Sequence, residues 1–326
     1  MGKASRTKQD IDRRARIAAQ REAQRRSDQR KRIYIAGGSI FLVVIVVIAI
    51  VLVKLNSGSG TVADASNGPT GTALTSLVNQ VTGVPTATTD KIGTGGVESG
   101  LFTSTETTAE ASSASSQLGS YFGTANGTAL TSGGKPEVLY LGAQYCPFCA
   151  AQRWAMANAL SRFGTFTGLT TTHSSSTDSY PNTPTLTFYG STYTSKYINF
   201  TSVEETTNYR IGHSSNTSVA YQTLQTPTTA ETTIAQTYDP GGSIPFIDLG
   251  NKYVQVGNLS PLSPSMLAGK TWAQVAAAMN DPTSSLGQAE IGNANYMTAG
   301  ICKLTGELPA SACTPTIQTL QQSFAS

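Results

Sequence analysis

One stretch of the sequence decides the fold: Val138–Trp154, which is VLYLGAQYCPFCAAQRW. Its first residues are apolar and predict a buried strand, whereas its last residues favour a helix. A Cys-Pro-Phe-Cys turn stands between the two elements. A strand that runs through Cys-x-x-Cys into a helix is typical of a thiol–disulfide site on an α/β domain.

The two cysteines of this turn have different predicted roles. Cys146 is expected at the N-terminus of the helix, where unpaired backbone N–H groups and the helix dipole lower the pKa of a thiol. We therefore predict that Cys146 is the catalytic nucleophile. Cys149 lies one turn further along the same side of the helix, so it can attack a mixed disulfide on Cys146 and release the substrate. We predict that Cys149 is the catalytic resolving residue.

Two other interpretations of the Cys-x-x-Cys turn stand beside the redox one. A zinc site would need four ligands, and the chain has no second closely spaced cysteine pair. The remaining candidate ligands are Cys302, Cys313, His173 and His213. A purely structural bridge within the turn would close so short a loop that it hardly restricts the unfolded chain. We therefore favour redox chemistry and predict no metal site.

The N-terminal part of the chain predicts a membrane anchor. Residues 1–32 contain 12 Lys or Arg and 4 Asp or Glu, and residues 33–53 are an uncharged run of 21 residues. That length spans a bilayer, and the positive flank places the N-terminus in the cytoplasm. We predict a basic cytoplasmic tail (1–32), a transmembrane signal anchor (33–53), a flexible linker (54–71) and an extracytoplasmic domain (72–326).

The charge distribution separates the tail from the domain. The whole chain has a net charge of +3 and the tail carries +8, which leaves −5 for residues 33–326. Because the domain has no basic patch, it is not expected to bind nucleic acid. Its four cysteines would meet an oxidising compartment outside the membrane. The expected location is the cell membrane, with a single span and the C-terminal domain outside.

Residue patterns predict the elements around the cysteine turn. Apolar spacing indicates a short helix over Ala73–Val81, and the helix after the cysteines is expected to run from Pro147 to Phe163. A strand is predicted within Phe166–His173. Alternating residues over Thr185–Gly190 and Ser195–Phe200 predict a pair of strands.

The C-terminal half has equally local signals. Thr228-x-x-Glu231 is a capping box, which opens a helix that ends near Tyr238. Residues 244–257 predict a hairpin with a tight Gly-Asn turn. The segments Thr271–Met279 and 286–302 are expected to be helical.

Two separated features of the chain together resemble the thioredoxin fold. The first is the predicted strand that runs through Cys-Pro-x-Cys into a helix. The second is Ile244-Pro245 at the start of the predicted hairpin, and Pro245 follows Cys146 by 99 residues. The resemblance implies a cis Ile244–Pro245 bond that faces the cysteines and exposes the Ile244 backbone to an extended substrate. An ordinary trans turn proline is the alternative.

The predicted substrate-binding residues lie around the cysteine pair. They are Tyr145, Pro147, Phe148, Ile244 and Pro245. Tyr145 and Trp154 flank the site and would form an apolar lip for a substrate. Ordinary core packing is the alternative for both rings.

The chain more closely resembles a prokaryotic membrane-anchored, thioredoxin-like family that is catalogued as a domain of unknown function. The matching segments are Gly134–Ala143, Cys146–Ala150, Arg153-Trp154, Ala159–Gly164 and Pro245–Asp248. The resemblance covers residues 74–313. It implies an α/β, thioredoxin-like fold, in which helices flank a central mixed β-sheet, with insertions, a helical C-terminal extension and one N-terminal transmembrane helix. It also implies redox chemistry, without a substrate.

The sequence departs from these relatives at two positions. Thioredoxin has a buried acid six residues before its first active cysteine, and this chain has Tyr140 there. Glu137 is not an obvious substitute because strand alternation places it on the other face. Phe148 gives a glutaredoxin-like Cys-Pro-aromatic-Cys form and cannot donate a hydrogen bond to the Cys146 thiolate. We expect an intermediate reduction potential.

A second pair of cysteines lies near the C-terminus. Cys302 and Cys313 flank a Gly/Pro turn between two predicted helices. A bridge between them would stabilise the fold by about 2–3 kcal/mol in the chain-entropy model. We predict a structural disulfide. The alternative is a second redox pair that exchanges electrons with Cys146 and Cys149.

The sequence therefore predicts a membrane-anchored, extracytoplasmic thiol–disulfide oxidoreductase. Its expected partners are thiols and disulfides of envelope or secreted proteins, together with a membrane redox partner. The cysteines would supply the chemistry, so no cofactor is predicted. The alternative is a thioredoxin-like peptide-binding or scaffold subunit of a membrane complex, in which the disulfide is a structural or holding device.

Overall fold

The structure is a computed structural model that describes residues 68–95, 122–125, 127–210, 221–257 and 262–324. The predicted cytoplasmic tail, the predicted membrane anchor and most of the predicted linker lie outside these residues. Within the described ranges, no helix combines the length and the apolarity needed to cross a bilayer.

Most strands of the described chain lie in its central part, and helices begin and end it. The helices are α1 (Gly71–Thr82), α2 (Thr86–Ile92), α3 (Pro147–Ser161), α4 (Thr229–Tyr238), α5 (Trp272–Met279), α6 (Ser285–Thr305) and α7 (Pro315–Leu320). The strands are β1 (Gly123–Thr124), β2 (Thr131–Ser132), β3 (Lys135–Gly142), β4 (Gly164–Thr167), β5 (Thr170–His173), β6 (Pro184–Thr187), β7 (Thr192–Ser195), β8 (Asn199–Glu204), β9 (Thr206–Arg210), β10 (Tyr221–Thr223), β11 (Phe246–Leu249) and β12 (Tyr253–Val256).

Strand β3 lies at the centre of a mixed sheet. On one side it pairs in parallel with β8, and on the other side it pairs antiparallel with β11. The sheet continues from β11 to β12 and then β1, both antiparallel, while the short β2 pairs with the start of β3. The predicted α/β class with a central mixed sheet is thereby confirmed.

In the segment between α3 and β8, the predicted strands differ from those in the structure. Phe166–His173 is not one strand, because Gly168 turns the chain in the left-handed region (φ 76°) and separates β4 from β5. The predicted strand pair does not form either: β6 pairs with β5, and β7 pairs with β4. Gly190 (φ 79°) makes the matching turn between β6 and β7, so the four strands form two nested hairpins. Alternation indicates a strand, but it carries no information on the partner.

The remaining local predictions agree with the structure. The Thr228–Glu231 capping box begins α4, and both of its reciprocal hydrogen bonds are present. Gly250 and Asn251 both have positive φ (64° and 56°) at the turn between β11 and β12, as a tight Gly-Asn turn requires. The predicted C-terminal helices correspond to α5 and α6.

The sheet separates two apolar clusters. On one face, helices α1, α3, α5, α6 and α7 enclose the larger core, whose largest fully buried side chain is Trp154. On the other face, a smaller cluster that includes Leu139, Leu141 and Phe246 lies against α4. The cysteine turn joins β3 to α3, so it lies where the sheet meets the larger core.

A disulfide closes the C-terminal part of the larger core. Cys302, on α6, is bonded to Cys313, just before α7, so the predicted pairing is present. Both cysteines are buried, with exposed fractions of 0% and 3%. The structural role predicted for this bridge therefore fits its position inside the core.

Helix α6 buries an acidic side chain. Glu290 is 0% exposed, and neither oxygen of its carboxyl group has a hydrogen-bond partner among the described residues. Burial raises the pKa of Glu290 well above its ordinary value. The nearby backbone N–H of Ala155 on α3 lowers this pKa by a smaller amount, although it does not form a hydrogen bond to the carboxyl group. Glu290 is therefore held as a neutral acid in the fold.

We expect Glu290→Gln to stabilise the protein at pH 8. The folded state favours the protonated acid, so the contribution of Glu290 is fully present below its ordinary pKa of 4.5 and is lost as the pH rises toward its raised value. Glutamine keeps the neutral shape at every pH. Thermal melts should show a higher midpoint for the variant at pH 8, by about 2–4 °C per kcal/mol regained, and a much smaller difference at pH 5. Equal midpoints at both pH values would contradict this account.

We expect the double substitution of Cys302→Ala and Cys313→Ala to destabilise the fold by about 2–3 kcal/mol, because the bridge no longer restricts the unfolded chain. The measurement is the thermal midpoint of the full chain under non-reducing conditions. Reactivity of the other two cysteines should persist in the folded variant. An unchanged midpoint with loss of disulfide exchange would instead support the second redox pair.

Candidate active site

The end of β3 delivers the cysteine turn. Cys146 is the N-cap of α3, with extended backbone dihedrals (φ −75°, ψ 121°), and Pro147 occupies the first helical position. Proline suits that position because it has no N–H to leave unpaired and its fixed φ fits a helix. The strand, the turn and the helix are therefore built as the sequence predicts.

Cys146 Sγ lies between the helix N-terminus and the Ile244 segment. It accepts a hydrogen bond from the backbone N–H of Cys149 at 3.3 Å, and it donates one to the carbonyl oxygen of Ile244 at 3.8 Å. The Ile244–Pro245 peptide bond is cis, which confirms the conformation that the resemblance implied. The structure thus brings together the predicted site residues of the two distant segments.

The two thiols have opposite electrostatic environments. A hydrogen bond from the Cys149 thiol, which outweighs the effect of burial, lowers the pKa of Cys146, and backbone N–H groups at the helix N-terminus add to this. Burial, followed by the hydrogen bond to Cys146, raises the pKa of Cys149 well above its ordinary value. Cys146 is 5% exposed and Cys149 is 0% exposed. Cys146 is therefore both the more acidic and the more accessible thiol.

Aromatic rings surround the turn. Tyr145 stacks on Tyr221 of β10, with ring centroids 4.3 Å apart and an interplanar angle of 4°. Phe148 meets Tyr180 edge to face at 6.1 Å. Of the predicted substrate-binding residues, Tyr145, Phe148 and Ile244 are partly exposed, whereas Pro147 and Pro245 are buried. Trp154 is fully buried, so its predicted place in the apolar lip is wrong: its indole N–H donates to the carbonyl oxygen of Pro184 in the core.

A buried ion pair that was not predicted from the sequence lies behind the cysteines. Arg153 donates to both carboxylate oxygens of Glu204 at 2.7 and 2.6 Å, and it also donates to the carbonyl oxygen of Ala143 at 2.7 Å. Arg153 and Glu204 are both 0% exposed. One sequence feature could have indicated this ion pair: Arg153 follows Cys149 by four residues, which places both on the same face of a helix that is otherwise rich in alanine.

Tyr140 occupies the position where thioredoxin has its buried acid. It is fully buried, and its hydroxyl has no hydrogen-bond partner among the described residues. Burial raises its pKa well above the ordinary value, so it remains a neutral phenol. A Cβ at Gly142 would come within 2.2 Å of that hydroxyl, so the glycine makes room for it at the end of β3.

The family model described as "Domain of unknown function (DUF929)" matches residues 121–303, which is more than half of the chain. The chain belongs to this family. No curated protein and no solved structure matches the chain. The DUF929 match includes the cysteine turn, the cis-proline segment and most of α6.

In the described part of the chain, one group of potential metal-ligating side chains lies close together, away from the cysteine turn, and it comprises Cys302, Glu307 and Cys313. Because Cys302 and Cys313 are joined in a disulfide, their sulfurs do not offer thiolates. Of the histidines considered as zinc ligands, His173 bonds to Asn208, and His213 lies outside the described residues.

We expect iodoacetamide to alkylate Cys146 of the reduced DUF929 protein with a pH midpoint below that of an ordinary thiol, about 8.5. Mass spectrometry of the full chain would follow the reaction. Cys149→Ala should raise the midpoint because the hydrogen bond from the Cys149 thiol is lost, whereas Cys149→Ser should raise it less. A midpoint at or above the ordinary value in the unmodified protein would contradict the assigned role of Cys146.

Proposed function

We propose that this protein is a membrane-anchored, extracytoplasmic thiol–disulfide oxidoreductase that exchanges disulfides with envelope or secreted proteins. One observation carries the proposal: Cys146 Sγ caps α3, with a lowered pKa, and contacts the carbonyl oxygen of Ile244 beside the cis-proline. A nucleophilic thiol and a strand-like backbone segment for a peptide substrate are thereby adjacent.

The sheet topology supports a thioredoxin-like fold. β3 precedes the cysteine turn and pairs in parallel with β8, and the hairpin β11–β12 follows the cis-proline and adds antiparallel to β3. In the sequence, helix α3 lies between the two parallel strands, β3 and β8, and it packs on their sheet. This order of strands around a Cys-Pro-x-Cys helix is the arrangement expected of that fold.

The exchange reaction needs no chemistry beyond sulfur. When the protein oxidises a substrate, a substrate thiolate attacks Cys146 Sγ of the Cys146–Cys149 disulfide, and Cys149 leaves as a thiolate that takes up a proton. A second substrate thiolate then attacks the substrate sulfur of the mixed disulfide, which forms the substrate disulfide and releases the Cys146 thiolate. The protein gains two electrons, and reduction of a substrate is the reverse sequence.

The predicted anchor and the charge of the chain support the proposed location outside the cell membrane. The uncharged run at residues 33–53, after a basic tail, would hold the domain at the outer face of the cell membrane. The acidic balance of the rest of the chain supports protein partners rather than nucleic acid. A membrane redox partner would return the cysteine pair to its starting oxidation state.

A second candidate is a peptide-binding or scaffold subunit of a membrane complex. The observation that favours it is the small exposure of the nucleophile: Cys146 is 5% exposed and is flanked by aromatic rings. In that function the rings and the Ile244 backbone hold an extended peptide, while the cysteine pair has no turnover.

The two functions predict different behaviour for cysteine variants of the full chain in its own cells. Cys149→Ala should accumulate protein partners as mixed disulfides on Cys146, because the resolving thiol is absent. These adducts should disappear on non-reducing gels after treatment with a reductant. The variant with both Cys146→Ser and Cys149→Ser is the control and should form none.

Complementation then separates the candidates. If the double serine variant restores full function to a deletion strain, the oxidoreductase proposal is wrong and the peptide-binding function stands. If only the unmodified chain restores function, and Cys149→Ala traps partners, disulfide exchange is supported.

A further inference from the structure

Resolution of a mixed disulfide requires Cys149 to react as a thiolate, and its surroundings oppose that. The thiol is 0% exposed, and burial is the largest influence that raises its pKa. The acid that would assist it in thioredoxin is replaced by Tyr140, a neutral phenol. The site therefore needs another group that favours negative charge on Cys149 Sγ.

Arg153 is placed to supply that charge. It follows Cys149 by four residues on α3, so the two side chains lie on one face of the helix. The peptide unit of Ala143 connects them: its carbonyl oxygen accepts from Arg153 Nη2, and its N–H faces the sulfur of Cys149. The positive charge of Arg153 favours the thiolate of both cysteines.

The ion pair leaves part of the guanidinium uncommitted. Nε and Nη2 of Arg153 bond to Glu204, but the buried Nη1 has no hydrogen-bond partner in the described part of the chain. A buried charged donor without a partner is uncommon, because burial without a hydrogen bond is unfavourable. Despite burial, the attraction of Glu204 keeps the pKa of Arg153 above its ordinary value, so the guanidinium stays charged.

We propose that Arg153 is a positioning residue that stabilises the Cys149 thiolate during resolution of the mixed disulfide, and that Glu204 limits how much of its charge acts on the sulfur. The inference rests on the proposed function, because it concerns the second step of disulfide exchange. In that step the Cys149 thiol loses its proton to solvent and its sulfur bonds to Cys146 Sγ. The bond between Cys146 Sγ and the substrate sulfur breaks, and the substrate leaves as a thiolate.

The other titratable groups near Cys149 are expected to be uncharged while the mixed disulfide is resolved. Cys146 is in mixed disulfide form during resolution and does not titrate. Burial keeps Tyr140 neutral and raises the pKa of Tyr145 to about 12, so both remain phenols across the neutral range. On α6, which packs on α3, Glu290 is held neutral by burial. Arg153 and Glu204 are therefore the charged groups that remain to be varied.

The test uses the reduced full chain with its Cys302–Cys313 bridge intact, in excess over the aromatic disulfide dithiobis(nitrobenzoate). Attack by Cys146 releases a first thionitrobenzoate, and resolution by Cys149 releases a second. Stopped-flow absorbance separates the two phases, and the pH midpoint of the second phase reports ionisation of Cys149.

Three variants change the charge near the sulfur, and a fourth is a neutral control. Arg153→Met should move the midpoint of the second phase upward by more than about one pH unit, whereas Glu204→Gln should move it downward. The double variant of Arg153→Met and Glu204→Gln should lie between the unmodified protein and Arg153→Met. It keeps the test valid if the single arginine variant fails to fold, because it leaves no unpaired buried charge. Tyr140→Phe is the neutral control and should leave the midpoint unchanged.

The outcomes separate this inference from the proposed function. Opposite shifts for the two single variants support the role of Arg153, since a purely structural ion pair would weaken folding in both without reversing the sign. Equal midpoints, shifts in the same direction, or a shift confined to Tyr140→Phe would overturn it. If the unmodified protein itself releases no second thionitrobenzoate, the proposed exchange function fails instead.

Discussion

Helix α3 is buried on nearly every side, and the rest of the domain is arranged around that constraint. Of its 15 residues, 13 are buried, so it has no solvent face on which to place polar side chains. A buried polar group without a partner destabilises the fold by about 1–3 kcal/mol, so the polar side chains of α3 depend on partners inside the protein. The elements that cover α3 supply those partners.

Four side chains of α3 form hydrogen bonds with four different neighbouring elements. Gln152 accepts a hydrogen bond from Asn293 of α6 at 3.0 Å, and Arg153 pairs with Glu204 of β8. Trp154 donates to the start of β6, and Asn158 donates to the carbonyl oxygen of Val81 in α1 at 2.8 Å. Apolar packing alone would allow α3 to slide or rotate, whereas these directional contacts fix its position and with it the cysteine turn.

The local elements of this fold could be predicted from the sequence, whereas most of its long-range contacts could not. The helix after Pro147, the capping box at Thr228 and the Gly250-Asn251 turn each depend on a few adjacent residues, so each could be predicted. The nested hairpins between α3 and β8 could not, because their pairing depends on glycine turns and on strands far apart in sequence. The ion pair was missed for the same reason, since Arg153 and Glu204 are 51 residues apart.

The same placement of α3 makes the two thiols unequal. Cys146, at the cap, meets backbone N–H groups that have no partner within the helix, whereas Cys149 is one turn inside and is enclosed by the core. The hydrogen bond from the Cys149 thiol, together with the backbone N–H groups of the helix start, lowers the pKa of Cys146, whereas burial raises the pKa of Cys149. Under the proposed function, this asymmetry would let Cys146 attack first and would keep Cys149 protonated until a mixed disulfide has formed. Under that function, burial of α3 would also set the order of the two sulfur reactions. The buried charge of Arg153 would be the counterpart that this burial requires, since a thiol enclosed so completely must ionise before it attacks the mixed disulfide.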